Sequence, residues 1–288
     1  MKPCGFVNIL KPPGYTSSDV VVKVRRILSD FYGAKTKAGH LGTLDPQGAG
    51  VLPVAFGNAT RLFEYFLGKQ KTYIAGVKLG KSTDTLDSYG RIVSSSAVTL
   101  PDDIGAVLQK FKGKSMQYPP SYSAKSVNGV RAYDLARKGE QVCLAPREIA
   151  ISDISLLTDL GNGHYVIKVT CSAGTYIRSL ARDIAAGTGN DGYMSFIIRT
   201  ASGTFDITDS ITIDEFAANP QKGIIPITTF ADGFARAEFT DSVAVRLLNG
   251  VGIRSGLSEG VTYAVYTDGE LAGFGSVEDG NFKINIRF

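Results

Sequence analysis

Short apolar runs alternate along the chain with clusters of Pro, Gly, Ser and Asp. Gly5–Leu10 is apolar and stops at Lys11-Pro12-Pro13-Gly14, the pattern of a buried strand ending in a loop. Thr16, Ser17, Ser18 and Asp19 offer N-caps to a helix. Its Val20, Val24, Ile27 and Leu28 recur at helical spacing, and Gly33 suits its end. Residues 35–46 have no periodicity and read as a loop, whereas Val51–Phe56 reads as a strand. Tyr73, Ala75, Val77 and Leu79 alternate with Thr72, Ile74, Gly76 and Lys78, which predicts a strand over 71–79. Pro101 and Asp102 open a helix with Ile104, Val107, Leu108 and Phe111 on one face, ended by Gly113. Ile149–Leu157 and His164–Cys171 are strand-like, and Tyr176–Ala186 is a helix closed by Gly187.

The pattern changes towards residue 288. A short helix over 241–249 precedes three strands, Thr262–Thr267, Glu270–Phe274 and Phe282–Phe288. Asp268-Gly269 and Asp279-Gly280 separate them, and such dipeptides make tight hairpins. These elements predict a small β-barrel-like module over 235–288 beside a larger domain over 1–234. Strands and helices mix without βαβ regularity, so the expected class is α+β with a mixed or antiparallel sheet.

Composition narrows the function classes. With 43% apolar and 20% charged residues over 288, the chain is expected to be globular rather than disordered. No apolar stretch approaches the ~18 residues of a membrane span. Pro and Gly interrupt the start too early for a signal peptide. Cys4, Cys143 and Cys171 are few and far apart, which suits a reducing cytoplasm better than a disulfide framework. His40 and His164 are the only histidines and belong to no Cys/His cluster, so no metal is expected. No cofactor is expected either. There is no P-loop string, and Gly187-x-Gly189-x-x-Gly192 follows a helix where a dinucleotide site needs a strand.

Charge adds one feature that the total of 31 basic and 27 acidic residues hides. Residues 110–147 hold eight basic side chains against Asp134 and Glu140, a candidate surface for a polyanion or a solvated loop. Residues 235–288 are net acidic. The candidate chemistry lies at Asp45, in a glycine-containing loop with Lys35, Lys37 and His40 upstream. Positive neighbours keep a carboxylate ionised. An Asx-type turn before a strand is the other reading of Asp45-Pro46.

Five stretches carry a resemblance. Gly39-His40-x-Gly42-Thr43-Leu44-Asp45-Pro46 with Gly50-Val51-Leu52-Pro53-Val54 resembles the central motif of the TruB family of tRNA pseudouridine(55) synthases. Lys11-Pro12-x-Gly14-x-Thr16-Ser17 and Lys71-x-Tyr73 resemble its first and third motifs. Pro119-Pro120-x-Tyr122-Ser123-Ala124-Lys125-x-Val127-Asn128-Gly129-x-Arg131-x-Tyr133 resembles its RNA-gripping insertion, here about 114–148. Cys171-Ser-x-Gly174-Thr175-Tyr176-Ile177-Arg178-x-Leu180-Ala181-x-Asp183 resembles its late arginine motif. The five are in the family's order over roughly 8–205. Near Ile197-Ile198-Arg199-Thr200 the family usually has a second arginine, so one cation is missing.

The resemblance implies a pseudouridine synthase fold with a PUA-type module at 235–288. It implies Asp45 as nucleophile, Arg178 as its ion-pair partner and Tyr73 stacked on the target base near C5. His40 would fill the space of a flipped uridine, and Tyr176 and Ile197 would line the pocket. Lys11, Lys125 and Arg131 would bind substrate. The implied partner is tRNA, through its T arm, with no protein partner, no membrane and a monomeric, cytoplasmic enzyme. A non-catalytic tRNA-binding or folding factor using the same surface is the alternative; binding alone would not require Asp45, Tyr73 and Arg178.

Overall fold

The computed structural model describes residues 3–122, 126–127, 130–131 and 144–288. Among them, ten strands join one sheet. From edge to edge its main path runs Ile224–Pro226, Gly5–Lys11, Ala49–Phe56, Gly192–Ser202, Lys71–Leu79, His164–Cys171, Arg147–Asp159 and Gly113–Gln117. Ala49–Phe56 and Gly192–Ser202 are parallel, and the other neighbours on this path are antiparallel. The class is therefore α+β with a mixed sheet, as the pattern predicts.

Both faces of the sheet are covered, so its inner strands read as continuous apolar runs. On one face Val7, Ile9, Leu52 and Val54 pack with Val20, Val24 and Leu28 of helix Ser17–Tyr32 and with Ile177, Leu180 and Ile184 of helix Ile177–Ala186. On the other, Phe6, Val51 and Ala55 pack with Phe66, Phe205 and Ala264, Leu271, Phe274 and Ile286. The last four belong to a second, five-stranded sheet, ordered Ala235–Phe239, Thr262–Thr267, Glu270–Glu278, Asn281–Arg287 and Ile253–Arg254. The two sheets thus share an apolar layer. Among the described residues no helix is long and apolar enough to cross a membrane.

Two expectations need correction, and one strand lies outside them. Residues 35–46 are not all loop: Ala38–His40 is a strand on the edge of Ala49–Phe56. Three residues are too few to display periodicity. The helix expected from Pro101 is capped by Asp103, whose side chain accepts from the Ala106 amide. It spans Ile104–Gln109, and Gly113 opens the next strand rather than ending the helix. The strand Gly192–Ser202 was hidden behind its glycine-rich approach and carries a bulge at Ser195.

Candidate active site

Asp45 lies on irregular backbone between two strands, and side chains from distant elements hold that backbone. The Ser17 hydroxyl accepts from the Leu44 amide at 2.9 Å and donates to the Leu44 carbonyl at 3.0 Å. The Lys11 ammonium donates to the carbonyls of Pro12, Pro46 and Gly48 at 2.9, 3.0 and 2.6 Å. The Arg199 guanidinium donates to Val51, Thr43 and Gly42 carbonyls at 2.7, 3.1 and 3.1 Å. The Asp45 carbonyl accepts from the Gly48 amide, closing a turn. Backbone carbonyls through the loop are thereby paired, as buried polar groups require.

Helix Ile177–Ala186 supplies the partner. Arg178 Nε donates to Asp45 Oδ2 at 2.9 Å and Nη2 to Oδ1 at 3.2 Å, a bidentate, charge-assisted fork. The remaining donors reach the carbonyls of Thr85 at 3.0 Å and Tyr122 at 3.1 Å. The Arg178 side chain is 9% exposed and that of Asp45 36%, so the carboxylate faces outward from a buried cation. An ordinary surface pair has both partners in water. Asp45, Gly48, Asp87 and Ile197 line a cavity on this side of the sheet.

The other expected site residues divide. Ile197 shares the Asp45 cavity. Tyr73 is only 7% exposed, in the core, with its phenol beside Arg199; burial raises its pKa. Tyr176 caps helix Ile177–Ala186, and Gln117 pins its backbone by accepting from its amide and donating to its carbonyl. His40 lines a different cavity, with Lys37, Leu41, Thr60 and Phe63. Its Nδ1 is buried without a partner, and burial together with Arg199 lowers its pKa, favouring the neutral ring. Lys11, expected to bind substrate, is instead fully buried with its three donors taken by carbonyls. Burial lowers its pKa to about 8 despite Asp45. Lys125 and the side chain of Arg131 lie outside the described residues, as does Tyr133. The described bases of the insertion do meet the site. Tyr118 and Tyr122 carbonyls accept from Ser179 and Arg178.

Sequence reasoning missed Arg199, Ser17 and Gln117. For Arg199 a signal existed: one guanidinium inside the apolar Ile197-Ile198-Arg199 run must find acceptors if the strand is buried. The cation counted as missing beside it matters less for that reason, since Arg199 by itself serves three carbonyls.

The mixed sheet thus carries a forked Asp–Arg pair beside a cavity, and the class of protein built on it is that of the pseudouridylate synthases. The chain belongs to the TruB family: the description "TruB family pseudouridylate synthase (N terminal domain)" matches residues 25–177. A tRNA pseudouridine synthase B from Caldanaerobacter subterraneus is 43% identical, over 87% of this chain and 86% of that protein. One from Bacillus subtilis is 38% identical, over 92% and 89%. Among solved structures, a chain of an H/ACA ribonucleoprotein bound to a substrate RNA containing 2'-deoxyuridine aligns with a TM-score of 0.71. It is 25% identical, with 99% of this chain and 84% of that one covered.

Proposed function

We propose that this chain isomerises a uridine of tRNA to pseudouridine, with Asp45 as the nucleophile. The bidentate Asp45–Arg178 pair carries the reading, because it fixes a carboxylate in the lining of a cavity. In the reaction the C1′–N1 bond breaks, the base turns, and a C1′–C5 bond forms. The C5 proton leaves and N1 gains one, so no redox partner is consumed. A covalent bond to the carboxylate splits one hard step into two. Arg178 holds both oxygens in line. Lys11, Ser17 and Arg199 act as positioning residues through the loop backbone.

The target is uridine 55 in the T arm, flipped out of its stack at a cost of a few kcal/mol. Neutral His40 fills the space it leaves, and Tyr176 and Ile197 wall the pocket. Tyr73 stacks on the base; because its ring is buried in the free chain, base entry must uncover it. Lys125 and Arg131 of the insertion grip phosphates. The chain divides into a catalytic part, 1–234, and a PUA-type module, 235–288, and works as a cytoplasmic monomer. The test is tritium release from tRNA transcripts labelled at uridine C5. Release is expected from the normal transcript, and none above background when position 55 is cytidine. Equal release from both would refute the assigned target.

A further inference from the structure

Two aromatic rings at the rim of the Asp45 cavity have no part in the chemistry above. Tyr89 is 66% exposed and Phe196 is 37% exposed, and both line that cavity. Exposed rings beside a polar site cost solvation that a ligand can recover. We propose that Tyr89 and Phe196 form a stacking platform for a base of the substrate RNA next to the reacting uridine. The inference rests on the isomerase reading for the identity of that RNA.

Both rings are held in place before any RNA arrives. Phe196 lies over the bare backbone of Gly76, where even a Cβ would approach its ring carbon to 2.6 Å. Tyr89 sits on a turn whose Asp87 carboxylate accepts from the Tyr89 amide at 3.0 Å and from the Thr85 hydroxyl at 2.6 Å. That turn is tied to the strand that carries Phe196. The Ser88 hydroxyl donates to the Ser195 carbonyl, and the Met194 amide donates to the Leu86 carbonyl. It is also tied to the reaction centre, since Arg178 donates to the Thr85 carbonyl. One rigid unit therefore carries the ion pair and both rings.

The charge around the rings selects bases over phosphates. Asp45 and Asp87 are the charged side chains among the described residues lining the cavity. Arg178 neutralises Asp45, so the carboxylate left without an ion-pair partner among the described residues is Asp87; it disfavours a phosphodiester and tolerates the neutral face of a base. A neighbouring base displaced together with the flipped uridine loses its own stack, and aromatic faces restore that contact whatever the base.

The test compares Tyr89→Ala, Phe196→Leu and Tyr89→Phe with the wild-type chain, and uses Val93→Ala, an exposed substitution on another strand, as the control. Phe196→Leu keeps Gly76 covered while removing the aromatic face. Dissociation constants and KM are measured with intact tRNA transcript and with transcripts abasic on either side of the target. Tyr89→Ala and Phe196→Leu are expected to weaken binding of intact tRNA by roughly five- to 150-fold, the worth of one stacked base. The loss falls on KM more than on kcat, Tyr89→Phe restores it, and on one abasic transcript variant and wild type converge. Unchanged affinity, a penalty that persists on both abasic transcripts, or a Tyr89→Phe as weak as Tyr89→Ala would overturn the platform. A wild type that binds tRNA yet releases no tritium would instead break the isomerase reading, while the dissociation constants still decide the platform.

Discussion

Residues 262–287 and residues 41–48 are held in shape by opposite means. The former are two hairpins whose strands pair through their own backbones, joined at Asp268-Gly269 and Asp279-Gly280. All four turn residues have positive φ, between 51° and 81°, which matches a type I′ hairpin. The latter form a segment with little ladder of its own. Its shape comes from Lys11, Ser17 and Arg199, which arrive from two strands and a helix. Local order tolerates single substitutions, because neighbouring ladder bonds remain. Order imposed by three buried side chains does not, and the reacting carboxylate sits where that dependence is greatest.

The largest expected effect strikes the pair itself. Arg178→Lys keeps the charge and loses the fork: the guanidinium serves four acceptors, both Asp45 oxygens and the Thr85 and Tyr122 carbonyls, and an ammonium has three donors. Single-turnover tritium release should fall by roughly 10- to 150-fold, the worth of a lost hydrogen bond to a charged group. A fall under threefold would mean that the fork does not govern reactivity. Next comes the loop. Arg199→Lys replaces a planar fork spread over the Gly42, Thr43 and Val51 carbonyls by a compact point donor, and each carbonyl it fails to reach costs about 1–3 kcal/mol. Both the melting temperature and kcat should drop. A variant as stable and as fast as wild type would remove the comparison's basis.

The hairpin offers the contrast. Gly269 has φ +81° and no atom within 4 Å of where a Cβ would stand, so Gly269→Ala adds backbone strain alone. The cost should be roughly 1–2 kcal/mol in denaturant unfolding, with kcat unmoved. A loss of turnover there would tie the second sheet to catalysis.

The smallest effect is a pH dependence. Burial holds Lys11 and Lys71 at about 8, below the ordinary lysine value of 10.5. Between those values the unfolded chain binds more protons, so stability should rise with pH, starting near 8. Above pH 9 the Cys171 thiol, pushed up to about 11 by burial, opposes this. From pH 8 to 9, Lys71→Met should flatten the rise by less than about 1 kcal/mol. A rise identical to wild type would show that Lys71 is not the source.

The same contrast explains what could be read from sequence. Tyr73, Ala75, Val77 and Leu79 announced their strand because alternation is local, and Asp-Gly announced both hairpins for the same reason. Asp45 and Arg178 were found through motifs, not through periodicity. Lys11 was assigned to the substrate because a lysine beside Pro-Pro-Gly gives no hint of a fully buried ammonium. Ser17 sat among several possible caps, and the structure gives the cap to Thr16 and sends Ser17 to Leu44. Gln117 and Arg199 act across 59 and about 150 residues of chain, and no window along the sequence spans that distance.

If the forked Asp45 carboxylate performs the bond exchange, Asp45→Asn must abolish it. The amide nearly matches the carboxylate in size but is not a nucleophile. Single-turnover tritium release and the dissociation constant for tRNA should be measured on the same preparation, with mass spectrometry to exclude deamidation back to Asp. No release above background is expected, with binding within a few-fold of wild type. Release at a rate near wild type would contradict Asp45 as the nucleophile.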